Sequence, residues 1–123
     1  MHILIADDYS DTATSLAELL EALAQDETTT AVASDGAQVL QSAQLCRPDV
    51  AVLDMSMPGM GGLEVGQHLR RLYGRRVVLV AMTGQHEKAL AARSSGDFDH
   101  VFLRPVDIEQ LLCITATSRP ERP

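Results

Sequence analysis

The sequence predicts an α/β domain: a doubly wound parallel sheet of five strands with five helices. Three observations predict it. Strand-like and helix-like segments alternate five times along 123 residues. The strand segments are short apolar runs, and three are continuous rather than alternating, as suits parallel strands covered on both faces. The segments between them carry apolar residues at helical spacing. Strict β–α alternation of this kind builds an open sheet with helices on both sides.

The first strand is read at residues 3–6, Ile3-Leu4-Ile5-Ala6. Ser10 is placed to cap the first helix, with Asp11 in its first turn. Leu16, Leu19, Leu20 and Leu23 fall at i, i+3, i+4 and i+7 and are expected to form its buried stripe. A second strand at residues 30–34 leads through an Asp35-Gly36 turn into a helix marked by Val39, Leu40 and Ala43. Residues 50–53 make the third strand. Gly59-Met60-Gly61-Gly62 turns the chain into a third helix marked by Val65, Leu69 and Leu72. The fourth strand covers residues 77–82. The helix after it, around residues 88–94, is weakly apolar and Ala-rich, so it is expected to be short and mobile. The fifth strand is read at residues 101–103. Asp107, with Gln110 three residues on, resembles a capping box for a last helix marked by Ile108, Leu111, Leu112 and Thr115. One domain over residues 1–117 is expected, with residues 118–123 as a linker or frayed tail.

Composition narrows the function. Hydrophobic residues make up 46% and aromatics 3%, with no Trp, so the core must be aliphatic. A formal net charge of −7 argues against a nucleic-acid or anionic-membrane surface, which needs clustered Lys and Arg. Any DNA output is expected to come from another chain or partner. Cys46 and Cys113 fall in predicted helices and are expected to be buried, reduced thiols. No signal-peptide pattern precedes the first strand and no apolar run approaches a membrane span, so a soluble cytoplasmic protein is expected. His2, His68, His86 and His100 lack zinc-type spacing. There is no Gly-x-x-x-x-Gly-Lys loop for a nucleotide.

In doubly wound sheets, ligands sit beyond the carboxyl ends of the strands. Strand one ends in Asp7-Asp8, strand three in Asp54, strand four in Thr83-Gly84 and strand five in Arg104-Pro105. Three carboxylates, one hydroxyl and one cation thus converge on one rim. Carboxylates gathered together repel, so either their pKa values rise or a cation fills the space between them. A hard divalent ion such as Mg²⁺ suits an all-oxygen set that also takes phosphate oxygens. Phosphoryl transfer uses such a site, and a carboxylate can be the nucleophile.

Four segments carry a family likeness. Ile3-Leu4-Ile5-Ala6-Asp7-Asp8 resembles the acidic-pair strand of response-regulator receiver domains of two-component signalling. Asp49-Val50-Ala51-Val52-Leu53-Asp54-Met55-Ser56-Met57-Pro58-Gly59-Met60-Gly61-Gly62 resembles the phosphoacceptor strand and its loop. Ala81-Met82-Thr83-Gly84 resembles the switch-threonine segment, and Phe98-Asp99-His100-Val101-Phe102-Leu103-Arg104-Pro105-Val106-Asp107 the fifth-strand segment. The likeness runs from about residue 2 to about residue 116 and looks closest to receivers of hybrid sensor kinases.

The resemblance implies a flavodoxin-like fold with strand order 2-1-3-4-5. It implies phosphorylation of Asp54 in a His-to-Asp phosphorelay, with a histidine kinase or His phosphotransfer protein as partner. Asp8, Asp54 and the Ser56 carbonyl would ligate Mg²⁺ directly, and Asp7 through water. Thr83 and backbone N–H groups near Met55 and Gly84 would hold phosphoryl oxygens. Ser56 and Gln85 would flank the attacking water and tune how long the phosphoryl group lasts. The chain would catalyse only its own phosphorylation and dephosphorylation, as a monomer or weak homodimer. The Arg104-Pro105 bond would be cis.

Two positions depart from the family pattern. Arg104 stands where Lys is usual, a planar fork in place of a point charge. It could contact the phosphoryl group or clamp Asp54 in an ion pair. Val101 stands where an aromatic ring is frequent, and the adjacent Phe102 should point to the opposite face. These departures keep a second reading open, a binding module of the same fold that works without phosphorylation. A third reading, an aspartate-nucleophile phosphatase of the haloacid-dehalogenase type, lacks the acid that class needs two residues after the nucleophile, where Ser56 stands, and inactivity on generic phosphate esters would end it.

Overall fold

A computed structural model describes residues 1–24 and 27–117; the tail expected at 118–123 lies outside the described residues. The elements alternate as the sequence predicts: β1 (His2–Ala6), α1 (Ser10–Leu23), β2 (Thr29–Ala33), α2 (Gly36–Leu45), β3 (Val50–Asp54), α3 (Gly62–Tyr73), β4 (Val78–Thr83), α4 (His86–Ser95), β5 (His100–Leu103) and α5 (Ile108–Thr117). A short 3₁₀ turn, Gly74–Arg76, follows α3. The five strands form one parallel sheet in the order β2-β1-β3-β4-β5.

Alternation along each strand divides the core in two. Leu4, Ala6, Ala51, Leu53, Leu79 and Ala81 face α2, α3 and α4, meeting Val39, Ala43, Val65, Leu69 and Ala92. Ile3, Ile5, Val50, Val52, Val80 and Met82 face α1 and α5, meeting Ala13, Ala17, Leu20, Leu111 and Ile114. Each fully buried aliphatic side chain contributes roughly 1.5–3 kcal/mol, so both faces hold the sheet. At the amino ends of the strands, Asp49 Oδ2 accepts from the His2 N–H and Asp99 Oδ2 from the Leu79 N–H, both at 2.8 Å. Those carboxylates tie strand starts together and leave the opposite rim to chemistry.

Several local expectations need correction. Tyr9, in extended conformation, is the residue before α1, and Ser10 is its first helical residue rather than its cap. The acceptor at that turn is Asp7, whose Oδ1 takes the Tyr9 N–H at 3.0 Å. In α1 the buried residues are Ala13, Ala17 and Leu20, while Leu19 and Leu23 are about half exposed. The small alanines let the helix lie close on the sheet, and this turns the leucine stripe partly outward. Leu72 likewise points out of α3.

The helix α4 has 10 residues, as many as α2 and α5, so it is not unusually short. Ala89 and Ala92 seat it, and Gly96, with φ 74°, ends it in the left-handed region. Cys46 ends α2 and Cys113 lies in α5; both are free and exposed rather than buried. In α5 the buried face belongs to Leu111, Ile114 and Thr115. Asp107 caps α5, but its Oδ1 accepts from the Glu109 N–H at 2.9 Å rather than from that of Gln110, which the expected capping box would use. No helix among the described residues is long and apolar enough to cross a membrane.

Candidate functional site

The carboxyl ends of β1, β3, β4 and β5 gather the expected side chains on one rim. Parallel pairing in register does this: Ala6 lies opposite Leu53, Asp54 opposite Met82, and Thr83 opposite Leu103. The residues just beyond those pairs therefore share one edge. Asp7, Asp8 and Asp54 each offer a carboxylate oxygen within 4.8 Å of the others. Asp7 is fully buried, Asp54 almost so, and Asp8 is exposed. Thr83 is fully buried beside them.

Asp7 uses both oxygens. Its Oδ1 takes the Tyr9 N–H, and its Oδ2 accepts a short hydrogen bond from Arg104 Nη2. Asp54 Oδ1 accepts the Ser56 N–H at 3.0 Å, and its Oδ2 lies 3.8 Å from the same Arg104 nitrogen. Arg104 therefore reaches the acidic rim, bonds Asp7 and stands near Asp54. Its own N–H continues the β4–β5 ladder to the Thr83 carbonyl at 2.9 Å. The Arg104-Pro105 bond is cis, as the resemblance implied.

Electrostatics follow from this packing. The Asp54 carboxyl is pushed above the ordinary carboxylate range, chiefly by burial. The Ser56 N–H and the Arg104 charge work against that rise, while Asp7 and Asp8 add to it. Burial disfavours the Arg104 cation, but the hydrogen bond and charge of Asp7, then the charges of Asp54 and Asp8, more than offset it and raise its pKa. An oxygen-only set of three carboxylates, two of them buried, fits a hard divalent ion such as Mg²⁺. Such an ion would offset the repulsion from Asp7 that adds to the rise caused by burial. Asp8, exposed on the rim, and Asp54 are the carboxylates best placed to hold it, because both Asp7 oxygens already have partners.

The backbone and hydroxyl groups around Asp54 have defined partners. The Met55 N–H donates to the Met82 carbonyl at 2.9 Å, so the first amide facing Asp54 is that of Ser56. Thr83 Oγ1 accepts the Gln85 N–H at 3.1 Å. Val101 packs with the α2–α4 side of the core and Phe102 with the α1–α5 side, so Phe102 does not replace a ring at position 101.

One residue escaped the sequence reading. Lys88, in the first turn of α4, extends Nζ to within 3.1 Å of Ser56 Oγ. A cation in a first turn opposes the helix dipole, and that misfit was the available signal.

The model of the response regulator receiver domain family matches residues 3–115. The nitrate/nitrite response regulator protein NarL of Escherichia coli strain K12 is 33% identical over 111 residues, covering 89% of this chain and 50% of that protein. The DNA-binding response regulator MtrA of Mycobacterium tuberculosis strain H37Rv is 32% identical over 111 residues, 89% of this chain and 46% of that protein. The chain thus spans about half the length of these curated relatives. A CheY-like receiver domain structure from Methylobacillus flagellatus superimposes with TM-score 0.83 at 25% identity, covering 97% of this chain and 98% of that one. The receiver domain of the Francisella response regulator 1452 shares the fold at TM-score 0.80 and 24% identity, over 95% of this chain and 94% of that one. With the sheet order, the acidic rim and the family match in agreement, this chain belongs to the response regulator receiver domain family.

Proposed function

We propose that this chain is a phosphorylation-switched receiver that accepts a phosphoryl group on Asp54 from a histidine kinase or His phosphotransfer protein. The observation that carries the reading is the convergence of Asp7, Asp8, Asp54, Thr83 and Arg104 on one rim of the sheet. An Asp54 oxygen attacks phosphorus, the P–N bond of the donor phosphohistidine breaks, and the imidazole leaves with the electron pair. Mg²⁺, held by Asp8, Asp54 and the Ser56 carbonyl with Asp7 acting through water, would neutralise charge on the phosphoryl oxygens. Arg104 supplies a second positive charge beside Asp54, and the Thr83 hydroxyl donates to a phosphoryl oxygen. The catalysis is confined to the chain's own phosphorylation and dephosphorylation. The product state changes the surface offered to a downstream partner, with the chain acting in the cytoplasm as a monomer or weak homodimer and without direct nucleic-acid contact.

Incubation with acetyl phosphate and Mg²⁺, followed by borohydride trapping and peptide mapping, tests the reading. Label on Asp54 that disappears with EDTA is expected. Label on a different aspartate would overturn the assignment. A second reading, partner binding independent of phosphate, is favoured by one observation: the guanidinium that should serve the phosphoryl group bonds Asp7. Absence of label, together with no response to beryllofluoride, would support it.

A further inference from the structure

Lys88 is the third residue of α4, where a cation opposes the helix dipole. Its half-buried side chain nonetheless spans from α4 to the loop after β3, with Nζ 3.1 Å from Ser56 Oγ. An ammonium has only donors, so Ser56 Oγ is the acceptor in that bond. The Ser56 hydroxyl hydrogen is then free for another partner. With an ammonium on its oxygen, the hydroxyl is a stronger donor and its remaining lone pair a weaker acceptor. The Ser56 backbone N–H meanwhile donates to Asp54 Oδ1 at 3.0 Å. Lys88, Ser56 and Asp54 therefore form one chain from α4 to the carboxylate.

We propose that Lys88 is a positioning residue: it holds the Ser56 hydroxyl as a donor toward a phosphoryl group on Asp54 and so lengthens the life of that group. The inference rests on the phosphoacceptor reading of Asp54. Loss of the group is hydrolysis. A water oxygen bonds to phosphorus, the P–O bond to Asp54 breaks, the carboxylate keeps the electron pair, and the water proton passes to solvent. A hydroxyl free to accept from that water would help orient it, and a hydroxyl held as donor does not. The same donated hydrogen bond stabilises the phosphorylated state.

The test follows decay of the label on Asp54 after the phosphoryl donor is removed. Lys88→Met is expected to lose label about fivefold faster, the rate equivalent of one modest hydrogen bond. Lys88→Arg should stay close to the unaltered protein. In a Ser56→Ala background, which keeps the backbone N–H and carbonyl, Lys88→Met should add nothing. In metal-free protein, the Ser56 amide resonance should move in Lys88→Met and return in Lys88→Arg. Unchanged decay, an acceleration that persists without the Ser56 hydroxyl, failure of arginine to rescue, or an unmoved Ser56 amide would each overturn the inference. Failure of the unaltered protein to take up label at all would instead overturn the phosphoacceptor reading, and this inference with it.

Discussion

Arg104 is bound to Asp7 more closely than to Asp54: its Nη2 hydrogen-bonds Asp7 Oδ2 and stands 3.8 Å from Asp54 Oδ2. The long planar fork crosses from the end of β5 to the end of β1. It neutralises the most deeply buried carboxylate of the rim, whose other oxygen already holds the entry to α1 through the Tyr9 N–H. One side chain thus serves both the architecture and the site.

Removing that cation should therefore be felt before any phosphate is present. Arg104→Ala is expected to destabilise the metal-free domain by on the order of 2 kcal/mol, because it leaves the Asp7 carboxylate buried without its charged partner. Added Mg²⁺ should recover part of the loss. Arg104→Lys should cost less, since a positive charge remains. Urea unfolding with and without Mg²⁺ measures this, and an unchanged midpoint for Arg104→Ala would show that the pair does not stabilise the fold.

Metal affinity should depend more on Asp8 than on Asp7. Asp8 is exposed on the rim, whereas Asp7 is occupied by Tyr9 and Arg104. Asp8→Asn is expected to weaken Mg²⁺ binding at least about tenfold, and Asp7→Asn by less. Titration of each variant with Mg²⁺ decides it, and equal or reversed losses would contradict the assignment.

The raised pKa of Asp54 has a consequence for stability. Burial, first among its causes, makes the folded protein hold a proton at pH values where the unfolded chain has released it. Folding is then linked to proton uptake, so stability falls as pH rises from the ordinary carboxylate range through the raised value. The penalty is fully present above that value. In EDTA, Asp54→Asn should raise the unfolding midpoint near neutral pH, and the gain should vanish in acid, where Asp54 is protonated in both states. A gain that persists unchanged in acid would show that the charge is not its source. The same variant should take up no phosphoryl group.

Gly62, the first residue of α3, lies against the backbone of Asp54. A Cβ there would come within 2.4 Å of the Asp54 carbonyl oxygen, while one on Gly61 would meet its nearest neighbour, the Met55 carbonyl oxygen, at 3.6 Å. Gly62→Ala should cost about 2 kcal/mol by forcing α3 away from β3. Gly61→Ala should cost under about 1 kcal/mol, the scale of a lost helix-cap preference. Thermal unfolding of the two variants makes the comparison, and equal effects would refute it.

The alternation of apolar runs and helical stripes was enough to place every strand within one or two residues, most directly where a strand buried on both faces is apolar throughout, as Val50-Ala51-Val52-Leu53 is. It was also enough to bring Asp7, Asp8, Asp54, Thr83 and Arg104 to one rim, since parallel strands all end on the same side. Which residues of α1 face the sheet was not legible there. Periodicity marks an apolar stripe but not how near the helix lies, and close approach selected Ala13 and Ala17 over Leu19 and Leu23. The cap of α1 was misread for a related reason: the acceptor was Asp7, a residue whose carboxylate also had a partner from β5.

What the sequence by itself determined was thus the order of elements, the buried strands and the set of side chains at their carboxyl ends, all of which follow from local polarity and the direction of the chain. Only the tertiary structure decided who pairs with whom on that rim. Arg104 with Asp7, separated by 97 residues, and Lys88 with Ser56, separated by 32, depend on helices and loops coming from different parts of the chain to one edge. The reach of a long cationic side chain to a hydrogen-bond partner is set by distances across that edge, which spacing along the sequence does not contain.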